Sequence, residues 1–511
     1  MEVSFFICIF ATNLRNNKIL KEMKTKFIFK DGSNPNYLCT ITKVGEMFPI
    51  EGADKLAKTV INGYDIVVPK TMKTGDIVAY FPVESSICEG FLSANNLYEF
   101  SEATRNANFA DVDFIIKSAE VSGDDVEIKH SIDMAKSMCG FFNKHGRVRI
   151  VKLRGQYSQG FVCGVDSIVK YKPELADTDW ESLVGTQFNY IGDDEFCWKY
   201  IPAIKVVEPQ GNGRNRAWKQ KTKALKRFNR VREDQFAFHY DTKMFAEHFR
   251  EFSPEDEVTI SIKVHGTSAI YANILCNRQL SLWEKIKKFF GVKVKEIEYG
   301  NVYSSRSVIK NKYINPNASS FYNVDVWGAV NDVIAPYIED GYTVYGEIVG
   351  YLPGSDKMIQ KNHDYGCKRG EWKFMPYRIT HTDEFGNKNE LEVYEVDEWT
   401  RNLVTEHPEI ADKIMFLTIP FNGKLMDLYP DIPVDDKWHD NVLARMKVDK
   451  DNFLMEEDEP MCKNKVPREG IVIRKNGDIH ARAWKLKTLR HYGKEAEAHD
   501  KGEVDIEELE S

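Results

Sequence analysis

Val258-Thr259-Ile260-Ser261-Ile262-Lys263-Val264-His265-Gly266-Thr267-Ser268 is the stretch on which the architecture turns. Period-two alternation places Val258, Ile260 and Ile262 on one face of a strand and Thr259, Ser261 and Lys263 on the other. A lysine therefore ends a strand on the side away from the apolar set, just before a glycine turn. Such a lysine can act as a nucleophile once neighbouring cations or burial remove its proton. An edge-strand lysine in solvent is the plainer alternative, and Lys-x-His-Gly is too short a pattern to decide between them.

Near the other end of the chain, Ala483-Trp484-Lys485-Leu486-Lys487 sets two cations on one strand face over an apolar underside. Paired cations suit a phosphate and a departing pyrophosphate, and they lower the pKa of a nearby lysine by like-charge repulsion. Lysines facing solvent on a surface strand remain the competing reading. Between these segments, Gly346-Glu347 and Glu469-Gly470 each put a carboxylate beside a glycine inside an apolar β run. A buried carboxylate needs compensation, from a hydrated Mg²⁺ or a ribose hydroxyl, or from an arginine in an internal ion pair. No GxxxxGK[ST] occurs, so the chain is not a P-loop ATPase.

With 511 residues the chain has room for two to four domains at about 150 residues each. Its 42 % hydrophobic content builds cores rather than disorder. The net charge of −8 argues against a general polyanion binder, but charge is unevenly spread. From Lys205 to Arg232 ten basic residues face one acid, and from Lys494 to Ser511 eight acids face two bases. The basic stretch reads either as a solvated linker or as a nucleic-acid contact, with Trp218 and Phe228 available for stacking. Nine cysteines without a CxxC pair suggest reduced thiols, a cytoplasmic location and no zinc cluster. The apolar run Phe5–Ala11 is too short to span a bilayer and lacks the basic flank of a signal peptide, and Met23 could be the natural start.

Short β-rich runs (Leu38–Val44, Tyr64–Val68, Ile77–Phe81, Arg147–Ile150 and Gly160–Val165) between turn residues suggest a small barrel. Residues 101–144 form an insertion with some helix, and Trp399–Phe416 reads as an amphipathic helix and its exit. The expected organisation is an extension (1–36), a barrel-like domain (37–204), a basic linker (205–235), a main domain of alternating strands and helices (236–490) and an acidic tail (491–511).

Taken in order, Lys263-Val264-His265-Gly266, Ser305-Arg306-Ser307, Gly346-Glu347-Ile348, Glu469-Gly470-Ile471-Val472 and Lys485-Leu486-Lys487 resemble the motifs of covalent nucleotidyltransferases, the polynucleotide ligases and capping enzymes. His265 with Gly266 and Thr267 is similar to the RNA-ligase branch, and Ile359-Gln360-Lys361 with Asp364-Tyr365-Gly366 resembles the phage nick-sealing RNA ligases. A β-barrel-like domain in front resembles the Deinococcus-type RNA ligase, whose first module is an OB fold. Pro49–Leu56 and Gly155–Gly160 look like parts of that module.

The resemblance covers residues 37–490 and implies an α+β fold, with ligase-type antiparallel sheets and helices behind an OB-like barrel. It implies an ATP-dependent RNA ligase that joins 3′-hydroxyl and 5′-phosphate RNA ends, on a nicked duplex, through lysyl-AMP at Lys263. It further implies Mg²⁺ or Mn²⁺ on Glu469 and Glu347, with Glu347 alternatively on the ribose. Lys485 and Lys487 would hold phosphate, and Arg306 ribose or phosphate. Adenine would stack on Tyr377, or on Phe374. Ile262, His265 and Gly266 would also line the nucleotide site, with Thr267 and Ser268 as helpers. Such an enzyme would be a monomer acting in RNA repair, with no membrane partner. DNA ligases, capping guanylyltransferases and a non-catalytic nucleic-acid-binding adaptor on the same core are the alternatives.

Overall fold

The computed structural model describes residues 26–101, 125–201, 230–310, 324–478 and 482–500, with isolated positions at 104, 107, 108, 117, 120 and 121. Most of the basic linker, the possible start at Met23, the apolar run at its N-terminal side and the end of the acidic tail lie outside the described residues. The chain divides into two units, Met1–Ile201 and Pro202–Ser511. It is a mixed α+β fold in which antiparallel pairing dominates.

The first unit is β-rich, as expected. Its largest sheet runs in the order Phe161–Gly164, Ile77–Phe81, Cys39–Lys43, Gln187–Phe188, and a separate three-stranded sheet holds Phe48–Pro49, Leu56–Ile61 and Tyr64–Pro69. Phe81, Phe91, Phe188 and Phe196 stack edge-on and face-on in the core beneath. Among the described residues the ladders form several small sheets rather than one continuous ring. The unit begins before Tyr37, because Phe27–Ile28 pairs with Tyr190–Ile191. Arg147–Ile150 is not a full strand: its pairing stops at one antiparallel bridge, Arg147 to Ser86, with Val148 in backbone hydrogen bonds to Glu84 and Ser85, while Val148 and Ile150 are buried and Arg147 forms a buried 2.6 Å ion pair with Glu84. The helix expected in the insertion is Asp125–Met138.

Two sheets build the second unit. A five-stranded sheet has the order Lys243–Met244, Ala483–Lys487, Gly470–Lys475, Glu257–Lys263, Phe421–Lys424; its first pair is parallel and the rest are antiparallel. A six-stranded antiparallel sheet runs Ile309–Lys310, Ile297–Ser304, Thr267–Asn277, Tyr342–Gly350, Trp372–Thr382, Lys388–Glu390. Val264-His265-Gly266 is the step from one sheet to the other, which is why Lys263 stands at a junction.

The underside of the five-stranded sheet is apolar. Ile260, Ile262, Ile471, Ile473, Trp484 and Leu486 are buried there. Trp484 meets Phe252 at 4.8 Å, and Phe249 carries the packing on to Trp438. Burial at about 1.5–3 kcal/mol per large side chain fixes the register, since a one-residue slip would turn the lysines into the core. Thr259 departs from the simple alternation: it is buried, with its hydroxyl donating to Asn476 Oδ1 at 2.8 Å.

The long spacing between Glu347 and Glu469 is not an appendage. It supplies the strand Trp372–Thr382, the edge strand Phe421–Lys424 and the helix Trp438–Met446 with its buried Trp438. The helix expected over Trp399–Phe416 spans Val393–Glu406 instead. A reciprocal Glu392–Glu395 capping box starts it early, and Pro408 begins a separate 3-10 segment after it. Among the described residues no helix is long and apolar enough to cross a membrane, and the cysteines are free thiols.

Candidate active site

Strand register assembles the site. Lys263 lies opposite Gly470, and Gly470 opposite Lys487, so one row crosses three strands. Ser261, Val472 and Lys485 form the next row on the same face. The residue before Gly470 is Glu469, which is buried beneath the cations. Lys263 Nζ is 3.0 Å and Lys487 Nζ 3.5 Å from Glu469 Oε1, and Lys487 also reaches Glu495 at 3.2 Å. Burial alone would raise the Glu469 carboxyl. The charges of Lys263 and Lys487, with His491 and His265 beside them, outweigh burial and hold it well below the usual carboxylate range. Glu469 is thus an ionised group balanced by lysines, not by the arginine considered from sequence.

Lys485 has the reverse balance. Burial, then Lys487, Lys263 and Arg306, bring its ammonium down to about 7, with Asp241 opposing. Arg306 is itself ion-paired with Asp241. Lys263, Lys485, Lys487 and Arg306 therefore act on one small region, as a polyphosphate site requires.

The turn after Lys263 is held from several sides. The His265 N–H donates to the Tyr365 hydroxyl at 2.6 Å, and Gln360 Nε2 donates to the Gly266 carbonyl at 2.8 Å. The Ile359–Gly366 stretch singled out in the sequence thus wraps the lysine turn. At Gly266 a Cβ would lie 2.3 Å from the Ile348 carbonyl oxygen, so only glycine lets the two strands approach. Gly470 has φ +151°, and a Cβ there would meet the Leu486 carbonyl at 2.1 Å.

The His265 ring sits edge-on between His363 and His491, each 5.0 Å away. Its Nδ1 is 3.8 Å from Glu469 Oε2, and His491 Nε2 is 3.9 Å from Glu469 Oε1. Both distances exceed a hydrogen bond. Glu469 Oε2 and His491 Nε2 are buried without a hydrogen-bond partner. Burial brings His491 down to about 3, so its ring is neutral and free to ligate. One donor atom from each of His265, Glu469 and His491 falls within a 4.8 Å group, a fit for a divalent ion. Nitrogen donors favour Mn²⁺ and later divalent metals over Mg²⁺.

Glu347, the second expected metal ligand, is not in that group. It lies on the six-stranded sheet opposite Ser268, whose hydroxyl donates to Glu347 Oε2 at 3.4 Å.

Two further expectations are corrected. Phe374 is completely buried, 5.1 Å from Tyr271, and its ring fills the space a Cβ on Gly346 would take. It presents no face to a base. Tyr377 projects from a β-bulge opposite Tyr345 and Gly346, packs beside Met375 and shares a 3.1 Å hydrogen bond with His239. Strand alternation puts Phe374 and Met375 on opposite faces, which separates the two aromatics. The Ile262 side chain is buried on the underside and its N–H is taken by the Thr418 carbonyl, so it does not line the phosphate face.

Sequence reading missed Asp241, His239, His363, His491 and Glu495. The last two belong to the helix Leu489–Asp500, which includes the first residues of the acidic stretch. Their only local signal is position: four and eight residues after Lys487 they return along one helix face.

No family model and no curated protein matches the chain. Among solved structures it is similar to the RNA ligase of Naegleria gruberi. One variant of that ligase, with ATP and Mn, aligns at 16 % identity and TM-score 0.48 over 89 % of this chain and 98 % of the other. A variant with AMP and Mn gives 17 % and 0.48 over 89 % and 98 %, and the ligase with PPi gives 16 % and 0.45 over 90 % and 99 %. At these values the likeness carries no weight of its own. What the site can do follows from its own residues.

Proposed function

We propose that the chain is an ATP-dependent RNA ligase, with Lys263 as the residue that becomes adenylylated. One observation carries this reading: the strand-end Lys263 and Lys487 share one row across Gly470, both reach the buried, ionised Glu469 that precedes it, and Lys485 is partly neutral beside them.

Lys263 Nζ, once its proton is lost, attacks the α-phosphorus of ATP; an N–P bond forms and the bond to the pyrophosphate oxygen breaks. Lys485, Lys487 and Arg306 bind the phosphate oxygens and the leaving pyrophosphate. The AMP group passes to the 5′-phosphate of RNA, releasing Lys263. A 3′-hydroxyl then attacks that phosphate and AMP leaves, sealing the strand. These are in-line phosphoryl transfers, so positioning and charge stabilisation supply the catalysis. A divalent ion held by Glu469, with His265 and His491, would add positive charge at the phosphate oxygens when bound. Tyr377 is the aromatic offered to adenine, and Glu347 to ribose.

The proposed substrate is RNA with 3′-hydroxyl and 5′-phosphate ends, on a nicked duplex, sealed by a cytoplasmic monomer in RNA repair. The β-rich first unit, as an OB-like module of the Deinococcus type, and the basic stretch Lys205–Arg232 would bind duplex phosphates. Reversing three lysines of that stretch should weaken RNA binding and flatten its salt dependence.

Intact-mass measurement after ATP and Mn²⁺ tests the central step. One AMP should be added, peptide mapping should place it on Lys263, and Lys263→Ala should gain none. Labelling by GTP instead would indicate a capping enzyme, sealing of DNA nicks alone a DNA ligase, and no adduct under any nucleotide a non-catalytic adaptor.

A further inference from the structure

Between the strands Thr267–Asn277 and Ile297–Ser304 the chain makes the helix Leu282–Phe289, none of whose residues is buried. Its formation is locally encoded: Ser281 Oγ accepts from the Glu284 N–H at 3.3 Å and the Glu284 carboxylate accepts from the Ser281 N–H at 2.8 Å. Yet its apolar stripe is largely exposed. Leu282 and Trp283 are each 74 % exposed, Phe289 84 % and Phe290 75 %, with Ile286 also exposed. At about 100° per residue these side chains fall within an arc of about 120°. Lys285 and Lys287 border that arc on its two sides. Over residues 278–296 six basic residues face only Glu284 and Glu296, in a chain whose net charge is −8.

We propose that this helix lies on an anionic lipid surface, its apolar stripe sunk between acyl chains and its bordering lysines on the headgroup phosphates. An exposed stripe that includes Leu282 and Ile286 suits hydrocarbon, whereas unpaired bases would need only the flat rings. The site is also remote from the chemistry. Ser268, opposite Glu347, is the second residue of the strand whose far end, Asn277, leads to the helix; at ~3.3 Å per residue that is about 30 Å. The absence of a spanning segment suggested no membrane partner, but an interfacial helix needs none.

Flotation of the full chain with vesicles of phosphatidylcholine, with and without phosphatidylglycerol, tests this. The protein should float only with the anionic vesicles and be released by salt. Trp283→Ser, Phe289→Ser, Phe290→Ser together should abolish flotation while melting temperature and AMP transfer stay unchanged. Lys285→Gln and Lys287→Gln should each weaken binding about fivefold. A wild-type chain that stays with neither vesicle overturns the proposal, as does a triple variant that floats undiminished. If the triple variant instead splits a dimer seen by light scattering, or lowers RNA affinity without any vesicle binding, the occupant is a second copy or RNA and the lipid assignment is wrong.

Discussion

Lys263 Nζ lies 3.0 Å from Glu469 Oε1, and the same carboxylate is shared with Lys487 at 3.5 Å. A divalent ion held by Glu469 would compete with both lysines for this carboxylate. Glu469→Gln, which removes the carboxylate proposed to hold the divalent ion, should give no AMP adduct even with excess ATP. It should also lower stability by about 3 kcal/mol, the low end for removing one partner of a buried pair, because Lys263 keeps 23 % exposure. Intact mass and urea unfolding of the same sample check both.

Lys485 supplies a pH dependence. Its folded-state pKa is lowered to about 7 by burial and then by Lys487, Lys263 and Arg306. Above about pH 7 the unfolded chain binds a proton that the folded chain does not, so this group makes stability rise with pH up to the ordinary lysine range. Lys485→Met should remove that rise. Pyrophosphate binding in the same alkaline window should take up a proton, seen as a buffer-dependent enthalpy in titration calorimetry. If the enthalpy is the same in every buffer, Lys485 does not meet the phosphate.

The His265–Glu469–His491 group predicts metal preference. Calorimetric titration should show Mn²⁺ binding more tightly than Mg²⁺, and His491→Ala should narrow the difference chiefly by weakening Mn²⁺. Equal affinities in the wild-type chain would exclude imidazole from the coordination.

At Gly266 the added methyl of alanine would sit 2.3 Å from the Ile348 carbonyl oxygen. Gly266→Ala should cost about 1–3 kcal/mol through overpacking, and should displace Lys263 from its row. Adenylylation should fall more steeply than melting temperature. An active, fully stable variant would show that the turn can relax.

Much of this site was legible along the chain. Glu257–Lys263, apart from the buried Thr259, and Ala483–Lys487 follow the alternation because one face of their sheet is core, where Trp484 meets Phe252, and the other carries the lysines. At Arg147–Ile150 alternation marked the buried Val148 and Ile150, but the pairing there stops at one bridge, Arg147 to Ser86. Sequence put Tyr377 before Phe374 as the platform for adenine; strand facing then sets Phe374 in the core, while Tyr377 projects from a β-bulge.

The sequence by itself determined the nucleophile candidate, the cation pair and both glutamates, since each rests on residue type and short-range period, and the ordered motifs implied the α+β class by resemblance. Only the tertiary structure decided which glutamate joins the lysine, that His265 and His491 share its pocket, and that Leu282–Phe289 is left uncovered. Strand register across distant segments sets those relations, and register is a property of packing between strands that no local pattern records.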